Sequence, residues 1–171
     1  RALENAARAA EIIGINEPKR HHWFNLAKEL RENLPVDQER KIYRYADDLD
    51  IPVETAHLGM VFPFSIELSG QYVKNTLESA WNEYQKSKAL ASSELVFSYN
   101  WIWAVGRLAT ICFYLGQPAR GYEVLNQAPK SIGPFMAPNE HYGEKYGPFL
   151  PWFTSGAGAF VYAINAMFVQ V

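Results

Sequence analysis

Ionisable side chains lie close to aromatic residues in three segments of this sequence. The first segment holds Asp47, Asp48, Asp50, Glu54 and His57, the second holds Glu94, Tyr99, Asn100, Trp101 and Trp103, and the third holds Asn139, Glu140, His141, Glu144, Trp152, Thr154 and Ser155. Cleavage of a glycosidic bond needs one carboxylic acid to protonate the leaving oxygen and another carboxylate as base or nucleophile. Aromatic side chains supply flat apolar surfaces on which sugar rings stack. These residue types therefore indicate carbohydrate chemistry.

The acidic candidates and the histidine also have structural interpretations. The cluster at 47–50 is typical of a solvated acidic turn. Glu140, in Pro-Asn-Glu-His-Tyr, fits a solvated loop residue as well as a catalytic or ligand-binding one. His57 opens an apolar segment, where a capping or buried structural role competes with sugar binding.

The remaining candidates have structural alternatives as well. Trp101 and Trp103 are two positions apart on a predicted helix and cannot share a face, so we expect one of them in the core. Ser155 lacks a Gly-x-Ser-x-Gly elbow and is expected to cap a helix rather than act as a nucleophile. The 15 % aromatic content fits core packing as well as a groove for flat ligands.

Other chemistries find no support in the residue pattern. The histidines show no metal-ligand spacing, and the sequence has neither a phosphate loop nor a dinucleotide fingerprint, so we expect no metal and no cofactor. Cys112, the single cysteine, lies in an apolar run and is expected to be a small buried residue. A net charge of −2 argues against binding to nucleic acid or to an anionic membrane through bulk charge.

The hydrophobic periodicity predicts an all-α fold in a single domain over residues 1–171. No segment indicates a confident strand. Seven helices are predicted, over 2–13, 18–34, 57–62, 69–85, 99–115, 119–128 and 156–170. Three of the links between them, 35–56, 86–97 and 129–154, are long, and they alternate with short turns. With successive helices antiparallel, all three long loops gather on one rim of the bundle, where function is expected.

The closing helix predicts the wider architecture. Residues 156–170 are apolar on nearly every side, so protein must enclose this helix. We expect no membrane span, because Pro151 and the 154–156 turn interrupt the longest apolar stretch. Apolar helices alternate with amphipathic ones, which indicates the inner and outer layers of an α/α toroid. Seven helices are about half of a six-hairpin barrel, so the other half-barrel of the same protein, or an oligomer partner, is expected to complete it.

Several motifs, in order along the chain, resemble the C-terminal half of six-hairpin glycosidases. The resemblance is nearest to family-95 glycoside hydrolases of the α-L-fucosidase type, and more distant to family-65 phosphorylases and family-15 glucoamylases. The matching segments are Ala9-Ala10-Glu11-Ile12-Ile13-Gly14, His57-Leu58 with Val61-Phe62-Pro63, Trp103, Leu115-Gly116 through Leu125, and Gly156 to Gln170. The resemblance implies an (α/α)6 toroid and a glycoside hydrolase, inverting, that acts on an oligosaccharide or glycan.

The resemblance also assigns roles to residues. Family 95 has an aspartate base immediately before the final helix, where this chain has Ser155, and its general acid would lie upstream of Arg1. Family-15 enzymes place a glutamate base in the loop before the last helix, which matches Glu140. Glu140 is therefore the predicted catalytic residue, and the predicted sugar pocket is formed by His57, Trp103, Asn139, His141, Trp152 and Ser155.

Two other functions stay open at this point. Without a base the same pocket would make a non-catalytic glycan-binding module, and the apolar inner helices would suit a scaffold that binds a protein partner. The sequence starts with a charged helix and shows no signal peptide. A first residue other than methionine indicates an excised piece or a processed product, so the compartment is unknown. The family resemblance favours a periplasmic or extracellular location.

Overall fold

The fold is mostly helical in the computed structural model, which describes residues 1–90, 101–132, 136, 138–143 and 147–169. Six α-helices are present in these ranges: α1 (Ala2–Ile12), α2 (Arg20–Glu32), α3 (Gln71–Leu90), α4 (Ile102–Tyr114), α5 (Pro118–Leu125) and α6 (Thr154–Phe168). The all-α prediction is confirmed at this coarse level. The predicted seventh helix, over 57–62, is instead a single 3₁₀ turn over Thr55–Leu58.

The structure contains short strands that no segment of the sequence indicated. Two short antiparallel ladders occur in the described ranges, β1 (Val36–Asp37) with β2 (Ile42–Tyr43), and β3 (Asn139–Gly143) with β4 (Gly147–Pro151). The second ladder and a 3₁₀ helix over Ala128–Ser131 occupy much of the predicted 129–154 loop. Both strands of this hairpin are rich in Gly, Pro and polar residues, and such residues predict turns rather than strands.

The core lies around α4. Ten of its thirteen residues are buried, because α5 and α6 both pack on it and because α3 and the 55–58 turn contribute side chains to the same cluster. Gly116 ends the α4 segment with a φ of +68°, and the short turn after it makes α4 and α5 an antiparallel hairpin. At the N-terminal end of the chain, α1 packs against α2, and the Arg31 side chain of α2 donates a hydrogen bond of 3.0 Å to the Glu4 carboxylate of α1.

The closing helix is not enclosed by the residues described. Small residues of α6 face α4 and are buried, among them Gly156, Ala163 and Ala166. The opposite face is exposed, with Val161 at 54 % and Phe168 at 76 % of full exposure. Among the helices that the structure describes, α4 is therefore the most buried, and α6 has one exposed apolar face.

Candidate functional site

Helices α4 and α6 lie unusually close together and point the same way. Gly156, near the start of α6, faces Ile102 at the start of α4, and Gly106, one turn further along α4, faces Ala159 one turn further along α6. A Cβ atom at Gly106 would meet the backbone of Ala159 at 2.6 Å, so only glycine permits this approach. The starts of the two helices, which follow two of the three predicted long links, therefore lie side by side.

A cleft of about 440 Å³ opens at this end, and we call it the α4–α6 cleft. It is lined by Phe62, Trp103, Arg107, Phe153, Ser155, Gly158, Ala159 and Tyr162. Four of these residues are aromatic, and one is a cation. None of the described residues that line the cleft carries a carboxylate.

One wall of the cleft is an aromatic cluster that spans three elements. Phe62, which follows the 55–58 turn, packs on Tyr162 of α6 with ring centroids 5.0 Å apart and meets Tyr114 of α4 edge-on at 6.2 Å. The hydroxyl groups of Tyr114 and Tyr162 form a hydrogen bond of 2.8 Å. These contacts fix the rings as a wall that is apolar with a polar edge.

Trp103, which lines the cleft, forms a ring pair with Trp101 that was not expected from the sequence. Trp101 and Trp103 meet in a T-shaped arrangement with centroids 5.7 Å apart. The predicted helix included Trp101, whereas α4 begins at Ile102 and Trp101 is an N-cap in the extended conformation, with φ −94° and ψ 133°. Both side chains are half-buried, so the expectation that one of them lies in the core is wrong, and Trp103 lines the cleft.

Arg107 brings the positive charge to the cleft. Its guanidinium carbon lies 5.9 Å from the centroid of the Trp103 ring, and Nη2 donates a long hydrogen bond of 3.5 Å to the carbonyl oxygen of Thr55. Burial lowers the pKa of Arg107, and the negative charge of Glu54 partly offsets this effect. Arg107 was not among the residues predicted from the sequence, although a single charged residue in the mostly apolar segment 102–114 is a signal that points to it.

His57 is buried beside the cleft but does not line it. The backbone N–H of Glu54 donates to its Nδ1 at 3.1 Å, and the Glu54 carboxylate accepts from the His57 backbone, which makes a reciprocal cap of the 55–58 turn. Burial lowers the pKa of His57, so the ring is neutral at pH 7 and carries its proton on Nε2. His57 therefore caps the turn, which is one of the structural roles named above. Its connection to the cleft is indirect: the same turn holds Thr55, whose carbonyl oxygen accepts a hydrogen bond from Arg107.

Asn139 and Glu140 are buried on β3 and also lie outside the lining of the cleft. Asn139 is 1 % exposed, and its Nδ2 has no hydrogen-bond partner among the described residues. Glu140 is 9 % exposed. Their neighbour Pro138 accepts a hydrogen bond of 2.9 Å from the backbone N–H of Phe153, which ties β3 to the start of α6.

The other predicted pocket residues are placed as follows. Ser155 is exposed and lines the cleft, one residue inside α6, so it is not the N-cap that the sequence predicted; Phe153 takes that position. Trp152 is 64 % exposed and adopts a φ of +66°, which bulky residues rarely do. The side chain of His141 lies outside the described part of the structure. Of the predicted set, then, Trp103 and Ser155 are brought together in one cleft.

A second cleft, of about 380 Å³, lies between the end of α2 and the segment after the 55–58 turn. Its walls include Arg31, Tyr43, Met60, Glu67 and Tyr72. The hydroxyl of Tyr43 binds the Glu67 carboxylate, and Arg31 pairs with Glu4, so the charged groups of this cleft already have partners. It is therefore the weaker candidate for a ligand site.

The α4–α6 cleft is equipped to bind rather than to transform a ligand. Its aromatic walls offer flat apolar surface, while Arg107, Ser155 and the Tyr162 hydroxyl offer polar contacts. In the described ranges, no group of three His, Cys, Asp or Glu side chains is arranged to hold a metal ion, and no helix has the length and apolar character that crossing a membrane requires. Comparisons with protein-family models, with curated proteins and with solved structures find no match to this chain.

Proposed function

We propose that this chain binds a saccharide in the α4–α6 cleft. The observation that carries the proposal is the composition of the cleft, in which four aromatic side chains surround a cation and a serine hydroxyl. Ligand sites combine mostly apolar walls with a few polar groups that fix orientation, and this cleft has that composition. A pyranose ring, with an apolar face and a polar edge, matches both features.

We further propose that the chain is part of an (α/α)6 toroid of the six-hairpin glycosidase type. The parallel course of α4 and α6, with the antiparallel α5 between them in sequence, is the arrangement expected of two inner helices and one outer helix. The exposed apolar face of α6, which includes Val161 and Phe168, would be covered by the next inner helix. This interpretation agrees with the order of the sequence motifs.

Saccharide binding is tested by screening the full chain on a glycan array and measuring the Kd of positive glycans by titration calorimetry. We expect Trp103→Ala to weaken binding at least 10-fold, which corresponds to a loss of about 1.4 kcal/mol. Gly158→Gln should also block binding, because Gly158 lines the cleft and has open space where a side chain would extend. Trp23→Ala, which changes a tryptophan on α2 away from the cleft, is the matched control.

Two results would contradict this proposal. The first is a chain that binds no glycan. The second is a pair of folded variants, Trp103→Ala and Gly158→Gln, that bind as strongly as Trp23→Ala.

Hydrolysis is the second candidate function, and Glu140 is the observation that favours it. Glu140 is nearly buried and forms none of the ion pairs found among the described residues, although a buried carboxylate is usually paired. A second carboxylate, the general acid, would come from another part of the barrel.

This hypothesis is tested in a longer protein that contains the whole barrel. Glu140→Gln keeps the shape of the side chain and removes the charge, so hydrolysis should fall at least 1000-fold while Kd for the saccharide changes little. Glu123→Gln, on the outer helix α5, is the matched control. Unchanged hydrolysis in Glu140→Gln would exclude Glu140 as the base.

A further inference from the structure

Arg107 has no carboxylate partner, in contrast to Arg40 and Arg120. Arg40 pairs with Asp37 at 2.7 Å, and Arg120 pairs with Glu78 at 2.6 Å. Arg107 takes part in none of the ion pairs formed by described residues, and its one hydrogen bond, to a carbonyl oxygen, is long at 3.5 Å. Most of its five donors are therefore available on the side of the cleft.

The surroundings of Arg107 make an unpaired guanidinium group energetically unfavourable when no ligand is bound. The guanidinium is half-buried between the Trp103 ring and the Thr55 carbonyl, where water solvates it poorly. Removing a cation from water costs free energy unless an anion or good acceptors replace the water. The nearest acidic influence is Glu54, but the Glu54 carboxylate caps the 55–58 turn and forms no ion pair with Arg107.

The two helices that flank the cleft add positive potential at the same end. Both α4 and α6 begin there, and neither has an acidic residue in its first turn. The N-terminal end of a helix carries a partial positive charge, which acidic residues in the first turn commonly balance. The N-terminal ends of both helices and Arg107 therefore all favour a negatively charged ligand.

We propose that the saccharide bound in the α4–α6 cleft contains a uronic acid, with its carboxylate paired with Arg107. A uronic acid combines the two properties of the cleft, since its pyranose ring has an apolar face for the aromatic walls and a planar carboxylate at its edge. The fork of N–H donors on a guanidinium matches a carboxylate in two parallel hydrogen bonds. This inference rests on the proposed saccharide-binding function and narrows it to acidic glycans.

The test compares each acidic oligosaccharide with its own neutral form. Tetrasaccharides of 1,4-linked galacturonic, glucuronic and mannuronic acid are titrated into the full chain by calorimetry, each beside a carboxyl-reduced counterpart of the same linkage. At least one uronate should bind about 10-fold or more tightly than its reduced form. That preference should weaken between 50 and 500 mM NaCl, whereas binding of the reduced form should not.

Variants at Arg107 test whether this residue causes the preference for the acidic form over the reduced form. Arg107→Gln should abolish the difference between acidic and reduced forms, and Arg107→Lys, which keeps the charge without the planar fork, should retain part of it. Thermal unfolding of each variant checks that it is folded. If Arg107→Gln does not fold, the salt dependence of the unmodified chain and the Arg107→Lys variant still test the proposal.

Three outcomes would overturn the inference. Equal binding of the acidic and reduced forms would overturn it and leave saccharide binding in place. An oligosaccharide that carries a sulfate ester but no carboxylate, and that binds as tightly as the best uronate, would show that the cleft selects charge and not a carboxylate. Binding of no saccharide, acidic or neutral, would overturn the proposed function together with the inference.

Discussion

The contact between Gly106 of α4 and Ala159 of α6 offers a strict test of how these helices pack. A Cβ atom at Gly106 would lie 2.6 Å from the carbonyl carbon, 2.7 Å from the carbonyl oxygen and 2.8 Å from the Cβ of Ala159. Carbon atoms in favourable contact are about 3.5–4.0 Å apart. The substitution Gly106→Ala therefore requires α6 to move away from α4 by about 1 Å.

Two opposing effects determine how much Gly106→Ala changes the free energy of unfolding. Alanine is favoured over glycine inside a helix by about 0.5–1 kcal/mol, because the unfolded glycine has more conformational freedom to lose. Overpacking of a core costs about 1–3 kcal/mol, and the upper part of this range applies since the atoms in the way belong to backbone and not to a side chain that can rotate. We expect Gly106→Ala to lower the free energy of unfolding by about 1–2 kcal/mol.

Gly158→Ala is the matched control on the same pair of helices. A Cβ atom at Gly158 meets nothing within 4 Å, so only the gain in helix propensity remains. This variant should be more stable than the unmodified chain by about 0.5–1 kcal/mol. The free energies of unfolding of the two variants should therefore differ by about 1.5–3 kcal/mol.

The measurement is urea unfolding followed by tryptophan fluorescence, with linear extrapolation to zero urea. The two variants have the same change of residue type, so differences in intrinsic propensity cancel. If Gly106→Ala proved as stable as Gly158→Ala, the close approach of α4 and α6 would be refuted, and with it the geometry of the cleft.

Three further predictions concern groups around the core. Burial lowers the pKa of His57 below its usual 6.5, so the unfolded chain binds the proton more strongly than the folded chain does. The free energy of unfolding should therefore fall as the pH drops below about 6.5. Urea titrations at pH 7.5 and 5.5 should show this fall, and it should be smaller in His57→Gln. Burial raises the pKa of the Cys112 thiol to about 12, so an aromatic disulfide reagent at pH 8 should modify it slowly in the native chain and rapidly in urea. Arg120 pairs with Glu78 through two hydrogen bonds and lies 4.8 Å from the Trp81 centroid. Since this site is partly exposed, Arg120→Ala should lower the free energy of unfolding by about 0.5–1.5 kcal/mol and Arg120→Lys by less, in the same urea assay.

The helices were the predictable part of the fold, because their apolar periodicity and the residues that end them are visible within short stretches of sequence. Gly14 and Gly116 both adopt positive φ at helix ends, as is typical of glycine at a helix C-terminus. The hairpin of β3 and β4 was not predictable in this way, since its pairing depends on contacts with α4 and the 128–131 turn rather than on β-forming residues. Local sequence carries little information about such pairing.

The candidate site was predictable in part and for similar reasons. Trp103 and Ser155 were expected in one pocket because each lies near the start of a helix that follows a long link, and the structure places both in the cleft. Phe62, Phe153 and Tyr162 were missed, because an aromatic residue in a core and one in a wall look the same in sequence. The proposal of Glu140 as a base stays a prediction.

The T-shaped pair of Trp101 and Trp103 gives the protein an optical property of its own. Two indole rings with centroids 5.7 Å apart and planes at 75° are close enough for their electronic transitions to couple, and transitions that are not parallel then produce a paired positive and negative band in circular dichroism. The amplitude of that band depends on the angle between the rings. A ligand that shifts Trp103 would change the spectrum, so occupancy of the cleft can be followed without any label.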